Sequence, residues 1–522
     1  MFSLTEPTTA VAEPAGAGRS TGRPVALIAM ATVLPFLGLA VRLGAYRHHI
    51  FLRGDFALMD LAARQAARWH QLVGAYDRFG WRHPGPAYFY LLAGAGSVVG
   101  RGLPAQAQFV CALLLNAVSG ALAVWLFAGT ARRPVGAALG VAALIAGATA
   151  VLGQIVILNP WNPYVTVMPL LVLAGLTLRA VRGSGPALAG CALVGSLVIQ
   201  TDLGTAPLAV LLSFCAAVGF VLGRRVRRVG EGAGAEAHAS SLNVVRASGT
   251  AGLAVLTLVS WLPAVVDQAS GHPGNLTLIW RFFTGNHPHV GPMGGLDLVG
   301  RVQGLLVGLH GVGWAGLVLP GALGLTALVL GLRQASFAAV GCGLLCVIGT
   351  GAAAAAAADI VGPPFAYLVT WAVVPTLTGA AGLVIVAVDG PLRGRAVVVG
   401  AIWVVALFGL IVKVVLIPPM PHYDAGEIRR AWAVVGPELP ASRHQPILID
   451  TLDPLGWAVA AGLADEVVGS GRPLRVVPGW EFQYGREYMG PARFEIRIGP
   501  PEAGSPSFGG QSVEMAPVAS GG

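Results

Sequence analysis

Charge is scarce in this sequence. Only 11% of its 522 residues are Asp, Glu, Lys or Arg, while 55% are hydrophobic and the mean hydropathy is +0.71. A water-soluble domain carries about 25% charged residues, so a soluble globular fold is excluded. Cysteine is scarce too. Cys111, Cys191, Cys215, Cys342 and Cys346 all fall inside apolar runs, where a free thiol behaves as a small hydrophobe, and no disulfide framework or zinc spacing follows. There is no P-loop, no G-x-S-x-G elbow in a suitable context and no dinucleotide fingerprint in a βαβ setting, which removes the common soluble-enzyme classes. The net charge of +9 does not make a basic face. Its arginines sit in short clusters between apolar runs, as membrane topology places them, so nucleic acid is not a partner.

What is present is a series of apolar runs. A membrane-spanning helix needs about 20 such residues. Candidates lie at 24–44, 104–129, 135–154, 163–180, 186–201, 206–223, 247–265, 311–332, 335–358, 366–388 and 395–417, with a shorter, Gly-rich stretch at 86–100. The first run is too long for a cleaved signal peptide and reads as a retained signal anchor. Positive charge decides whether the short stretch crosses. If it spanned, Arg132, Arg133, Arg179, Arg182 and the cluster GRRVRRVG (223–230) would face outward. If it only dips into the outer leaflet, all of them face the cytoplasm with Arg333, Arg393 and Arg395. The sequence therefore predicts about eleven transmembrane helices with a cytoplasmic N-terminus, and a re-entrant or interfacial helix at 84–100.

This topology gathers the unusual segments on the outer face of a plasma membrane. They are the loop 45–103, the turns QIVILNPWNPY (154–164), QTDLGTAP (200–207) and DIVGPPFAY (359–367), the loop 266–300, and everything after 418. The expected organisation is a disordered N-terminus (1–23), a membrane domain (24–417), an extracytoplasmic α/β domain (418–499) and a disordered tail (500–522). Within the third part, QPILID, LRVVP and RFEIRIG read as strands, with a helix over 453–468.

The first outer loop holds the densest chemistry. Asp55 follows Gly54 at the head of a helical pattern, FALMDLAARQAARW, where a capping role competes with a functional one. Further on, GWRHPGPAYFY (80–90) sets Arg82 and His83 before two prolines and a Tyr/Phe-rich apolar stretch. Pro84 and Pro86 disfavour helix and fix the chain's direction. The remaining turns offer Asn159, Trp161 and Asn162 for hydrogen bonding and stacking, and Gln200 and Asp202 at the end of an apolar run, where polar groups need partners.

An acid just outside the first span, then a helix, then His83-Pro84-Gly85-Pro86-Ala87-Tyr88-Phe89-Tyr90, resembles the GT-C superfamily of membrane glycosyltransferases. The likeness is to the branch of protein O-mannosyltransferases and lipid A aminoarabinose transferases. It extends to GT-C-like membrane proteins of high-GC bacteria with G-W-x-H-P-G-P, N-P-x-N-P-Y and Q-T-H-x-G motifs. Two positions depart: Phe56 stands where many relatives place a second acid, and Asp202 where the last motif has His.

The resemblance implies a GT-C-like polytopic α-helical membrane protein. Its implied activity is transfer of a sugar from a polyprenyl-phosphate donor to a cell-envelope glycan, lipid or protein. Asp55 would be the base, with Asp60 in reserve. Arg82, His83 and Arg281 would meet the donor phosphate, and Tyr88, Asn159, Trp161, Asn162, Gln200 and Asp202 would contact substrate. Asp55, Asp202 and His83 also form a donor set for a divalent metal, left open as an alternative. Two other functions compete, a non-catalytic envelope scaffold and a lipid or solute transporter. The scarcity of mid-span charges counts against the transporter.

Overall fold

An apolar run in hydrocarbon has no water to satisfy its backbone, so it closes its hydrogen bonds internally as helix. The computed structural model describes residues 22–46, 48–99, 104–230, 240–418, 423–500 and 507–518. Of the segment expected to be disordered, 1–21 lie outside these, and Gly22 and Arg23 open the first helix. Among the described residues ten helices are long and apolar enough to cross a membrane, from Gly22–Ala45 to Ala396–Leu416. An eleventh, Gly185–Thr201, has 17 residues, about 26 Å of helix against a hydrocarbon core of about 30 Å. The stretch at 84–100 becomes the helix Ala87–Val99, whose 13 residues are too short to span. The chain is a polytopic α-helical membrane protein.

Local chemistry marks the helix ends. Ser184 and Ser336 accept hydrogen bonds from the backbone N–H groups of Ala187 and Ala339, and Pro134 opens the helix Pro134–Leu152. Small residues let spans approach closely: a Cβ on Gly343 would lie 2.6 Å from the Gly324 carbonyl oxygen of the neighbouring helix. Arg42, at the end of the first span, donates to the carbonyls of Val414 and Ile417 at the end of the last. The five cysteines are free.

After the last span a four-stranded sheet forms in the order β2-β1-β3-β4. β1 (Ile447–Thr451) pairs in parallel with β2 (Leu474–Val476) and β3 (Phe494–Gly499), and β4 (Ser512–Pro517) runs antiparallel to β3. β4 falls in the segment read as a disordered tail. Its alternation of Val513 and Met515 with Ser512 and Glu514 closes the sheet edge and was outweighed in the sequence by the surrounding Gly, Ser and Pro. The helix Trp457–Gly469 lies between this sheet and the helix Asp55–Ala67. Packed between the helices Trp457–Gly469 and Ala87–Val99, the helix Asp55–Ala67 buries Ala57, Leu58, Met59, Asp60, Leu61, Gln65 and Ala66.

Candidate active site

The segment 74–83 doubles back on itself as a narrow ribbon. Tyr76 and Arg82 form an antiparallel bridge, Asp77 N–H donates to Trp81 O, and His83 N–H donates to Ala75 O. Asp77 makes the turn, its Oδ1 accepting from Phe79 N–H at 2.9 Å, and Gly80 supplies the positive φ of 83°. Asn275, at the head of the helix Asn275–Thr284, pairs with the Arg82 backbone in both directions at 2.8 Å. The ribbon is thereby fixed as one wall of a cavity of about 700 Å³. Other walls come from the start of the helix Asp55–Ala67, the NPWNP turn, the turn after Asp202, the segment 356–371 and the C-terminal residues Trp457, Gln483 and Tyr484.

Asp55 is the first residue of its helix, and its carboxylate is not spent on the helix end. It accepts a 2.8 Å hydrogen bond from the Tyr76 hydroxyl and faces the cavity with no cation beside it among the described residues. Burial raises its pKa above the ordinary carboxylate value, and the Tyr76 bond opposes the rise. Gly54 makes this placement possible. Its φ is 56°, its N–H donates to Ala458 O at 3.0 Å, and a Cβ there would lie 3.2 Å from the Trp457 ring.

Two more carboxylates line the cavity. Asp202 is 6% exposed and accepts from Gly204 N–H at 2.9 Å; burial pushes its pKa up to about 7. Asp77, raised by burial to about 6, adds to that rise. Tyr367 lies within electrostatic reach of Asp55, Asp77 and Asp202 together. Arg78 is the exposed cation of this wall. It donates to Val361 O at 2.9 Å and lies over the rings of Phe79 and Phe365.

Several residues singled out from sequence are placed elsewhere or otherwise engaged. Asp60 faces away from the cavity, accepting from Arg64 Nε at 2.7 Å, with Asp465 beside it, 3.5 Å from the same nitrogen. Five residues along a helix at about 100° each is a rotation of about 140°, so Asp55 and Asp60 cannot share a face. Arg82 lines the cavity, but its guanidinium donates to the carbonyls of Phe482 and Gln483 and so clamps the C-terminal segment. His83 is 6% exposed and cross-links two turns. Its Nδ1 accepts from Leu203 N–H at 2.9 Å, and its Nε2 lies 2.9 Å from the Asn162 side-chain amide. A neutral ring whose Nδ1 accepts carries its proton on Nε2, so Asn162 must turn its oxygen toward that nitrogen. Burial lowers the His83 pKa to about 4, which leaves the ring neutral rather than a cation for phosphate.

Trp161 and Asn162 do line the cavity, and Trp161 packs on Tyr367. Asn159 accepts from Trp161 N–H as an ordinary Asx turn. Gln200 reaches Ser196 and Ser260 and packs against Gly85, where a Cβ would collide with it. The Tyr88 hydroxyl donates to Pro160 O at 2.7 Å, and Arg281 is exposed on its helix and lines no part of the cavity. Among the described residues no three His, Cys, Asp or Glu side chains converge as a metal site. The set Asp55, Asp202 and His83 is therefore not assembled, His83 having both nitrogens engaged. Tyr76, Asp77, Arg78, Tyr367 and the C-terminal wall escaped the sequence reading. Only Asp77 carried a local signal, the Asp-x-Phe-Gly turn.

No family model and no curated protein sequence matches the chain. Solved structures do. ArnT from Cupriavidus metallidurans bound to undecaprenyl phosphate superposes with a TM-score of 0.51 at 16% identity, over 97% of this chain and 99% of that one. The apo state of the same enzyme gives 0.46 at 13% identity, covering 92% and 97%. The Archaeoglobus fulgidus oligosaccharyltransferase gives 0.46 at 12% identity, covering 87% of this chain and 64% of that one. The first of these shows the fold: the chain folds as that ArnT does over nearly its whole length, in keeping with the resemblance of its first loop to the aminoarabinose-transferase branch.

Proposed function

We propose that this chain moves a sugar from a polyprenyl-phosphate donor to a cell-envelope acceptor at the outer face of the plasma membrane, with its N-terminus cytoplasmic and its C-terminal sheet outside. The observation that carries the proposal is Asp55, a carboxylate with a phenol and no cation for company, on the wall of a cavity large enough for a glycosyl phosphate. The superposed ArnT, bound to undecaprenyl phosphate, supports the choice of donor class.

The chemistry needs a base at the acceptor and positive charge at the leaving group. The acceptor oxygen attacks C1 of the donor sugar as the C1–O bond to phosphate breaks. The acceptor proton passes to Asp55, and polyprenyl phosphate leaves with the electron pair of the broken bond. Tyr76 holds the carboxylate and keeps its pKa from rising further. Arg78, exposed at the cavity and with five N–H donors on its guanidinium, is the group for the phosphate, since Arg82 is occupied and His83 is neutral. Leu203, Pro207, Ile279 and Phe282 form an apolar flank to the cavity, which suits the first isoprene units.

The test is transfer of radiolabelled sugar by the purified protein in lipid nanodiscs from a panel of polyprenyl-phosphate sugars, wild type beside Asp55→Asn. Turnover lost in the variant supports the proposal. Absence of turnover with every donor, from protein shown to be folded, moves the weight to a scaffold or transporter.

A further inference from the structure

We propose that the helix Asn275–Thr284 is a membrane-surface helix, seating Trp280 and Phe283 in the phospholipid headgroup layer on the cavity side of the membrane. The partner is the bilayer itself, and the inference stands apart from the transferase reading.

Where the helix lies follows from how it is tied. The span Ser248–Ser270 is one of those long and apolar enough to cross a membrane. Its second half leaves Leu258, Val259, Leu262, Val265 and Val266 half exposed or more, as side chains that face lipid are. Only residues 271–274 separate this span from Asn275–Thr284. Asp267 accepts from Asn275 N–H at 2.8 Å, and the Gln268 side-chain amide bonds to Thr277 in both directions, at 2.8 and 3.1 Å. The helix therefore starts at the level where the span leaves the hydrocarbon. Trp280 lies about 5 Å along the axis from Thr277, which keeps it within a headgroup layer about 5–8 Å deep.

The helix also turns apolar side chains outward. Trp280 is 70% and Phe283 60% exposed. Three residues apart, they stand about 60° from each other around the axis, with Leu276 between them and the exposed Arg281 and Thr284 on the neighbouring arc. In water such a face is an apolar patch that invites association. At headgroup depth it is the composition a surface-lying helix uses, an indole and a phenyl toward the acyl boundary with an arginine on the polar flank. The other side of the helix is cavity wall. Ile279 and Phe282 line the cavity, and Phe282 stacks on Phe79 at 4.8 Å between ring centroids. One helix thus stands between the cavity and the bilayer, with Phe283 at the edge of both.

The test is photo-crosslinking in nanodiscs of phosphatidylcholine and phosphatidylglycerol that contain no polyprenyl lipid. Benzoyl-phenylalanine is placed at position 280, at 283, or at 514 on β4, where Glu514 is exposed, and adducts are read by mass spectrometry. Positions 280 and 283 should yield phospholipid adducts and position 514 none. A second reading sets the wild type beside Trp280→Phe. The emission that the replacement removes should be quenched by phospholipid brominated near the carbonyl end of its acyl chains and spared by aqueous iodide. The inference is overturned if position 280 gives no more phospholipid adduct than position 514, if its adduct is a second copy of the chain, or if iodide quenches the Trp280 emission and the brominated lipid does not. None of these readings needs turnover, so they stand or fall separately from the sugar-transfer assay.

Discussion

One helix carries two carboxylates with opposite fates. At its first residue Asp55 meets a phenol and an open cavity. Five residues on, Asp60 meets Arg64, which also faces Asp465 of the helix Trp457–Gly469. Both acids are taken out of water, but only Asp60 receives a cation in exchange. A buried ion pair that satisfies its hydrogen bonds has little chemistry left to offer, while an acid left without a cation keeps its basicity at the cost of its solvation. On the proposed reading the cavity end of this helix is where reaction belongs, and the face against the C-terminal helix is where the two parts of the chain are held together.

Neutralising each acid is the most direct way to sharpen that contrast. Asp55→Asn should lower transfer by about a thousandfold, within the range a positioned general base contributes, with a thermal midpoint at or above that of wild type because a desolvated charge is gone. Removing the cation on the other face should do the reverse. Arg64→Ala strands Asp60 and Asp465, which are 3% and 5% exposed, and should cost about 3 kcal/mol of stability, read by thermal or denaturant unfolding in detergent. Transfer per folded molecule should stay near wild type.

A smaller effect separates the two faces by pH. Because burial raises the Asp55 pKa and the Tyr76 hydrogen bond opposes it, the acid limb of kcat/KM should lie above the ordinary carboxylate range. Tyr76→Phe should move that limb to higher pH and cost roughly tenfold in rate at neutral pH, an effect in the range of one hydrogen bond. A limb that stays put would detach the pH dependence from Asp55. The smallest effect concerns Asp202, whose folded pKa of about 7 exceeds the ordinary 3.8. A raised folded pKa gives stability that is present below the unfolded value and lost as pH rises through the folded one. Asp202→Asn, which cannot ionise and keeps an oxygen for Gly204 N–H, should match wild type near pH 4. It should gain a growing advantage in thermal midpoint up to about pH 7.

How much was legible in the sequence follows from the range of each interaction. Spans were legible because about 20 apolar residues in a row are a local signal, and even Gly185–Thr201 showed in that way. Asp55 stood out through its position just outside the first span and the motif downstream, and the structure places it on the cavity. Asp60 was misplaced by proximity in sequence, where helical rotation separates it from Asp55. Arg82 and His83 drew attention for their charge, yet the structure uses one as a clamp for the Phe482 and Gln483 carbonyls and the other as a neutral cross-link. Those roles depend on partners about 400 and 120 residues away, which no local pattern reveals. The same distance hid Trp457 and Tyr484.

The account turns on the division of labour between the two carboxylates, and one measurement reaches it most directly: single-turnover transfer from a polyprenyl-phosphate sugar in nanodiscs, with Asp55→Asn and Asp60→Asn beside wild type and the thermal midpoint taken on the same samples. The account predicts that Asp55→Asn loses transfer and keeps its midpoint, while Asp60→Asn loses midpoint and keeps transfer per folded molecule. Transfer that survives Asp55→Asn, or that vanishes in a well-folded Asp60→Asn, would contradict it.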